Sequence, residues 1–215
     1  MKLKLISFRI CPFVQKSVIT LYEKNQDFDI EYINLENKPD WFLDISPEGK
    51  VPVLLVDEKP LFESNVINEF IDEITPNSLL PENPLEKAEM RAWIEFSSGL
   101  MSDFMKLVSS QEKDTYENSL NMIFSKLEKL EKVIDNKGFF RGENFSLADS
   151  AFAPFFIRFN LIPGVKEHKN WKKLEKVEKW KDNLLSRDSV IKSTDEEFYN
   201  ILDKRFKNMG CYALK

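Results

Sequence analysis

The first part of the chain switches between two spacings of apolar residues. Residues 2–8 alternate polar and apolar side chains, which predicts a strand that ends near Arg9. After Pro12 the apolar residues follow helical spacing, at Val14, Val18, Leu21 and Tyr22. Residues 28–35 alternate again, so we expect the chain to begin as strand, helix and strand.

A second group of short elements extends to Thr75. A short helix is expected around residues 39–43, and residues 47–50 have the composition of a turn. Residues 51–64 contain two short β-rich runs that predict a hairpin. Ser64 is expected to cap a helix whose apolar face is formed by Ile67, Phe70, Ile71 and Ile74. This order of elements predicts a small α/β unit.

The chain changes character at a stretch rich in proline. Residues 76–84 contain three prolines and no apolar period, which is typical of a linker. Beyond it no strand is found: helical spacing occurs around residues 85–108, 120–134, 174–184 and 198–206, and the stretch "RGENFSLADSAF" is expected to begin a further helix. We therefore expect three parts: an α/β unit over residues 1–75, the linker, and an all-helical unit over residues 85–215.

One of these helices has a recognisable start. Ser146 and Asp149 have the spacing of a capping box, with aspartate in place of the usual glutamate or glutamine. Pro154 lies eight residues after Ser146 and is expected to bend or interrupt that helix.

Composition indicates an ordinary soluble globular protein. The 215 residues are 42% hydrophobic and 31% charged, enough for one large or two small domains. No apolar run approaches the roughly 18 residues of a membrane helix, and the N-terminus lacks the pattern of a signal peptide. We expect a cytoplasmic protein with no membrane partner. The net charge of −5 is spread along the chain and suggests no nucleic-acid partner.

The two cysteines, Cys11 and Cys211, do not form a disulfide framework and fit a reducing compartment. Cys11 stands just before the first helix, where free N–H groups and the helix dipole stabilise a thiolate. A lowered pKa and a reactive thiol are therefore expected, although an inert buried cysteine stays possible. Because position 14 is valine, no second thiol follows at Cys-x-x-Cys spacing, and turnover would need an external thiol.

Several motifs, taken in order, resemble the cytosolic glutathione transferases and most closely their omega class. The matching stretches are "SFRICPF", "NLENKPDWF", "SPEGKVPVL", "LFESNVINEFIDE", "FSLAD" and the terminal "CYAL". The resemblance covers nearly the whole chain, and its strength lies in the order and spacing of the motifs. It implies an α/β thioredoxin-like N-terminal domain (βαβ-ββα), an all-α helical-bundle C-terminal domain, a glutathione site in the cleft between them, and a homodimer.

The resemblance also implies roles for individual residues. Cys11 would form a mixed disulfide with glutathione. The family has a cis proline at the position of Pro52, which exposes the backbone of Val51 to the cysteinyl part of glutathione. Glu63 and Ser64 would hold the γ-glutamyl end, by accepting its ammonium and binding its α-carboxylate. Ser64 could equally be only a helix cap, and Glu63 a solvated carboxylate.

The resemblance also implies roles for four other residues, and each of them has a purely structural alternative. Lys38 matches a position that approaches the glycyl carboxylate of glutathione, or is an exposed charge. Phe13 packs beside the thiol, or belongs to the core. Arg158 and Phe198 align with residues lining the co-substrate pocket, or are packing residues. His168 is the single histidine, so neither a metal site nor a Cys–His pair is expected.

The sequence thus favours a glutathione-dependent thiol transferase or reductase, with glutathione as co-substrate and no metal. Its second substrate would be a disulfide or a small electrophile, dehydroascorbate being one oxidised example. Two alternatives stay open. One is conjugation of glutathione to electrophiles, expected to be weak because Cys11 replaces the usual hydroxyl donor. The other is a non-catalytic binding protein of the same fold, similar to the stringent starvation proteins.

Overall fold

The N-terminal part of the protein contains all four strands of the described chain. In a computed structural model, which describes residues 1–214, this part also contains three helices. The strands are β1 (Leu3–Ser7), β2 (Asp29–Tyr32), β3 (Val53–Val56) and β4 (Lys59–Phe62). The helices are α1 (Pro12–Glu23), α2 (Asp40–Ile45) and α3 (Ser64–Glu73). The predicted order of strands and helices is confirmed.

The strands form one mixed sheet in the order β2-β1-β3-β4. Strand β1 pairs parallel to β2 and antiparallel to β3, and β3 pairs antiparallel to β4. Asp57 and Glu58 form the hairpin turn with positive φ angles of 45° and 71°, as a two-residue turn of this kind requires. This is the thioredoxin-like arrangement that the motifs implied.

The rest of the chain is helical. The helices are α4 (Pro84–Ser109), α5 (Lys113–Val133), α6 (Leu147–Phe159), α7 (Glu175–Leu185), α8 (Asp188–Lys192) and α9 (Glu196–Asn208). All but α8 were expected from the sequence; α8 has five residues, too few to show a period. None of the helices in residues 1–214 combines the length and the apolar character needed to cross a bilayer.

Two expectations about helix α6 and helix α3 were wrong. Helix α6 continues through Pro154 to Phe159, because the fully buried helix is held by packing on all sides. Ser64 is the first residue of helix α3 and not its cap. The cap position belongs to Glu63, whose φ of 69° turns the chain into the helix and whose side chain makes no capping hydrogen bond.

Helix α1 joins the two domains because it is buried on both sides. Its residues Val14, Val18 and Leu21 belong to the core of the sheet. Ile19, on another face, belongs to the large core of the helical domain. Thr20 donates a hydrogen bond from Oγ1 to Oγ of Ser150 on α6, at 3.1 Å. The residues at the start of α1 therefore lie at the boundary of the two domains.

The proline-rich linker is anchored by a buried ion pair. Lys24 at the end of α1 contacts Asp72 of α3 at 2.8 Å, and both side chains are only 3% exposed. The Lys24 ammonium also donates to the carbonyls of Pro76 and Asn77, while Asp72 accepts from the N–H of Leu79. These bonds use the polar groups of the linker and hold it against α1 and α3.

Candidate active site between the two domains

Cys11 lies between β1 and α1, where the predicted strand and helix meet. It occupies the cap position of α1, and Pro12 is the first helical residue. The backbone N–H of Cys11 donates to the carbonyl of Phe8 at 2.9 Å. Its Sγ lies 3.9 Å from the carbonyl oxygen of Val51, the residue before Pro52. The fold therefore brings together two of the predicted site residues that are 40 positions apart.

The electrostatics of the thiol differ from the expectation. Burial raises the pKa of the Cys11 thiol, and this outweighs the N–H groups of Val14 and Phe13 and the positive charges of Arg158 and Lys16, which lower it. The expected net lowering of the pKa is therefore wrong for the protein without a ligand. Cys11 as a whole residue keeps partial solvent exposure, although its thiol group is largely surrounded by protein.

A cavity of about 360 Å³ lies next to the start of α1. Cys11 does not line it, but Val51, whose carbonyl oxygen contacts the Cys11 sulfur, does. Five predicted site residues contribute to its lining: Phe13, Val51, Pro52, Glu63 and Ser64. The Val51–Pro52 peptide bond is cis. The first-turn N–H groups of α3 face no side-chain cap, which leaves donors for an anion at this end of the cavity. A larger groove of about 940 Å³ lies at the far end of α1 and is not lined by Cys11.

Lys38 is not among the residues that line this cavity. It precedes α2, and its ammonium lies beside Gly49 in the turn after that helix. Gly49 has a φ of 60°, which favours glycine, and its N–H donates to the carbonyl of Ser46 at 2.9 Å. Lys50, two residues before Pro52, does line the cavity. It pairs with Glu48.

The lining residues that were not found from the sequence include Asn65, Glu95 and Ser98. Asn65 is the second residue of α3, and its Nδ2 donates to Oε2 of Glu95 on α4 at 3.4 Å. The helical domain therefore supplies part of the cavity wall. Glu95 and Ser98 lie on a long amphipathic helix, where nothing in the sequence distinguishes them from ordinary surface residues.

Arg158 and Phe198 lie together on the other side of Cys11. The Arg158 guanidinium is 5.3 Å from the centre of the Phe198 ring. Arg158 is only 1% exposed and donates through Nη2 to the carbonyl of Ile10, the residue before Cys11, at 2.9 Å. Phe198 is also buried, at 2% exposure. Both residues are therefore covered by the surrounding protein.

Lys16 is the residue near the thiol that sequence reasoning missed. It is 3% exposed, its ammonium donates to Oδ1 of Asn65, and it lies 5.4 Å from the centre of the Phe13 ring. Burial lowers the pKa of Lys16 to about 8, against the negative charges of Glu95, Cys11 and Glu63, which raise it. Lys16 lies on the side of the predicted helix opposite its apolar face, so nothing in the sequence distinguishes it from an ordinary surface lysine.

No cluster of three or more histidine, cysteine, aspartate or glutamate side chains with metal-binding geometry occurs in residues 1–214. The arrangement is instead suited to thiol chemistry on a charged peptide. The Cys11 sulfur contacts Val51, and Val51 lines a cavity that also offers the free N–H donors at the start of α3 and the carboxylates of Glu63 and Glu95.

Family profiles match both halves of the chain. The profile described as "Glutathione S-transferase, N-terminal domain" matches residues 10–74, and "Glutathione S-transferase, C-terminal domain" matches residues 92–188. The chloroplastic glutathione S-transferase DHAR3 of Arabidopsis thaliana is 36% identical over 204 residues, covering 93% of this chain and 75% of that protein. Glutathione S-transferase omega-1 of Mus musculus is 31% identical over 206 residues, covering 93% and 85%.

The solved structures that resemble this chain are also glutathione transferases. Glutathione transferase Omega 3C from Trametes versicolor superposes with a TM-score of 0.82 at 29% identity, covering 93% of this chain and 92% of that one. A Tau class glutathione S-transferase from mango, Mangifera indica, gives 0.81 at 27% identity, covering 94% and 98%. Fold and site thus define a two-domain enzyme with a thioredoxin-like domain and a cysteine at its cleft. The chain belongs to the glutathione S-transferase family.

Proposed function

We propose that this protein is a glutathione-dependent thiol transferase and reductase that works through a mixed disulfide at Cys11. The observation that carries the proposal is the position of the Cys11 sulfur, 3.9 Å from the Val51 carbonyl at the edge of the cavity. No second cysteine lies near Cys11 in the sequence to resolve the mixed disulfide. The other cysteine, Cys211, is 200 residues away and buried. Glutathione bound in the cavity would supply the missing thiol.

The reaction proceeds by two thiol–disulfide exchanges. The Cys11 thiolate attacks the glutathionyl sulfur of a mixed disulfide, forms a new S–S bond with it, and releases the other sulfur as a thiolate that takes up a proton. A glutathione thiolate then attacks the glutathionyl sulfur held on Cys11. Glutathione disulfide leaves, and Cys11 returns as a thiolate. One disulfide is reduced and one is formed, so no other electron donor is needed.

The cavity residues are assigned to parts of glutathione by charge. Glu63 accepts hydrogen bonds from the γ-glutamyl ammonium, and Ser64 with the free N–H groups of α3 binds the α-carboxylate. The backbone of Val51 pairs with the cysteinyl unit, beside the Phe13 ring. Lys38 and Lys50 provide positive charge for the glycyl carboxylate at the other end.

The second substrate is proposed from the names of the relatives. Several are glutathione S-transferases named DHAR, and others are omega-1 enzymes. We therefore place disulfides, glutathionylated thiols and dehydroascorbate among the substrates, with reduction of the last consuming two glutathione molecules. The co-substrate would approach Cys11 from the side of Arg158 and Phe198.

We further propose the predicted division of the chain at residues 76–84, a cytoplasmic location, and a homodimer. The dimer proposal is supported by two exposed apolar residues, Phe62 at the end of β4 and Val66 in the first turn of α3, which are 46% and 51% exposed. One DHAR relative is named cytosolic, while others are named chloroplastic.

The mixed disulfide can be tested directly. Incubation of the protein with glutathione disulfide should add one glutathionyl group to Cys11, detected by intact-mass and peptide mass spectrometry, and reduced glutathione should remove it. The matched control is Cys211→Ala. It should still take up one glutathionyl group, because Cys211 is only 1% exposed in the wild type and Cys11 is retained. Modification that persists in Cys11→Ser would refute the assignment.

The γ-glutamyl assignment predicts weaker glutathione binding in two variants. Glu63→Gln and Ser64→Ala should each raise the Kd of glutathione about tenfold, because a charge-assisted hydrogen bond contributes roughly 1.5–3 kcal/mol. Titration calorimetry measures the Kd. Glu69→Gln is the control, since Glu69 lies on the same helix but pairs with Arg91 outside the cavity. Unchanged affinity in both site variants would mean that glutathione does not bind at the start of α3.

A further inference from the structure

Four cationic residues are buried in residues 1–214, and they fall into two classes. Lys24 and Lys181 each contact a carboxylate, Asp72 and Asp182 respectively, at 2.8 Å. Lys16 and Arg158 form no ion pair with any described residue. A buried cation without an anion is costly, so an unpaired one needs a reason.

The partners of the two unpaired cations are neutral. Arg158 donates to three oxygens: the carbonyls of Ile10 and Pro154, at 2.9 and 2.8 Å, and Oε1 of Gln15, at 2.5 Å. Lys16 donates to the side-chain oxygen of Asn65. These bonds engage three of the five N–H groups of Arg158 and one of the three of Lys16, and they leave both positive charges uncompensated.

Both cations act on the same group. Arg158 comes from α6 in the helical domain and holds the carbonyl of the residue before Cys11. Lys16 follows Cys11 by five positions, on the first helix. Each of them lowers the pKa of Cys11, and the thiolate in turn raises the pKa of each. Within residues 1–214, Cys11 is the anion-forming group that interacts with both cations, whereas Glu63 and Glu95 act on Lys16 and Tyr199 acts on Arg158.

We propose that Lys16 and Arg158 are positioning residues that hold two uncompensated positive charges for the thiolate of Cys11. The charges are neutralised when the thiol loses its proton. The cost of removing the thiol from water, which disfavours the thiolate, is thereby reduced in part when the nucleophile forms. This inference deepens the proposed function, since it assumes that the Cys11 thiolate is the nucleophile.

Three other ionisable groups act on the two cations. Glu63 and Glu95 act on Lys16 from α3 and α4, and Tyr199 acts on Arg158 from α9. Glu63 and Glu95 are both exposed. Because water screens exposed carboxylates, they compensate a buried charge less than a buried thiolate does.

The test is the pH dependence of Cys11 alkylation by iodoacetamide in the full-length protein without glutathione. The background is Cys211→Ala, so that a single thiol reacts. Lys16→Met and Arg158→Met should each shift the midpoint of the rate upward by about one pH unit, and lower the rate at pH 7 about tenfold. Arg158→Lys, which keeps the charge, should recover at least half of the shift.

Lys181→Met is the matched control, because Lys181 is also buried but pairs with Asp182. It should leave the alkylation midpoint unchanged. Lys16→Met should also keep or raise the melting temperature, because it removes an unpaired buried charge. Thus the Lys16 result stands even if Arg158→Met fails to fold.

Three results would overturn the inference: an unchanged midpoint in Lys16→Met, an equal shift in Lys181→Met, or no recovery in Arg158→Lys relative to Arg158→Met. Alkylation needs no glutathione. A protein that shows these shifts but no glutathione-dependent turnover would refute the proposed function and leave the inference about the charges intact.

Discussion

Cys11→Ser is expected to lower glutathione-dependent reduction of a small mixed disulfide by about 1,000-fold or more. A serine hydroxyl cannot form the S–S bond on which both exchanges depend, and it is hardly ionised at neutral pH. The rate of glutathione disulfide formation, coupled to an auxiliary reductase, measures the effect. Wild-type and Cys11→Ser proteins with equal rates would rule out the thiol mechanism.

The same variant separates reduction from conjugation. Serine places a hydroxyl at the start of α1, where it can donate to bound glutathione and keep that thiol ionised. Conjugation of glutathione to an electrophile should therefore persist or rise in Cys11→Ser while reduction is lost. Cys211→Ala should retain both activities. Loss of both activities together with loss of glutathione binding would point to a misfolded site instead.

Asp149→Ala is expected to cost about 3–5 kcal/mol of the free energy of unfolding. The Asp149 carboxylate is completely buried. It accepts from Trp180 Nε1 at 2.6 Å, the N–H of Phe140 at 3.0 Å, and the N–H and Oγ of Ser146 at 2.8 and 2.6 Å. Burial raises the pKa of Asp149 to about 6, and these hydrogen bonds oppose that shift, so the carboxylate is ionised at pH 7.

Urea unfolding followed by circular dichroism measures this loss. Asp195→Ala provides the comparison, because Asp195 caps α9 through the N–H of Phe198 but is exposed. Loss of such a cap should cost about 1 kcal/mol. If the two alanine variants were equally stable, the role of Asp149 would be limited to capping, and its bonds to Trp180 and Phe140 would contribute nothing.

Local features of the fold were predictable because they depend on neighbouring residues. The capping box at Ser146 and Asp149 is present, since three positions of chain suffice to form it. The hairpin across Asp57 and Glu58 also follows from local composition. Even the position of Cys11 at the cap of α1 needed only the change of apolar spacing and the proline after it.

The failures arose where distant residues decide the environment. Pro154 does not end α6, because surrounding helices bury every residue of that helix and outweigh the lost hydrogen bond. Asp149 not only caps α6 but also accepts a hydrogen bond from Trp180, 31 positions away. Ser64 lies inside α3 because Glu63 adopts a positive φ angle, which no residue pattern predicts.

The sequence by itself determined the order of strands and helices, the family, and the presence of a single cysteine at the start of α1 without a resolving partner. The tertiary structure decided how that cysteine ionises. Its pKa depends on how much water the fold excludes and on a guanidinium that reaches the residue before it from 148 positions away. Solvent exclusion and charge act through space, so they are defined only after α6 has packed against α1.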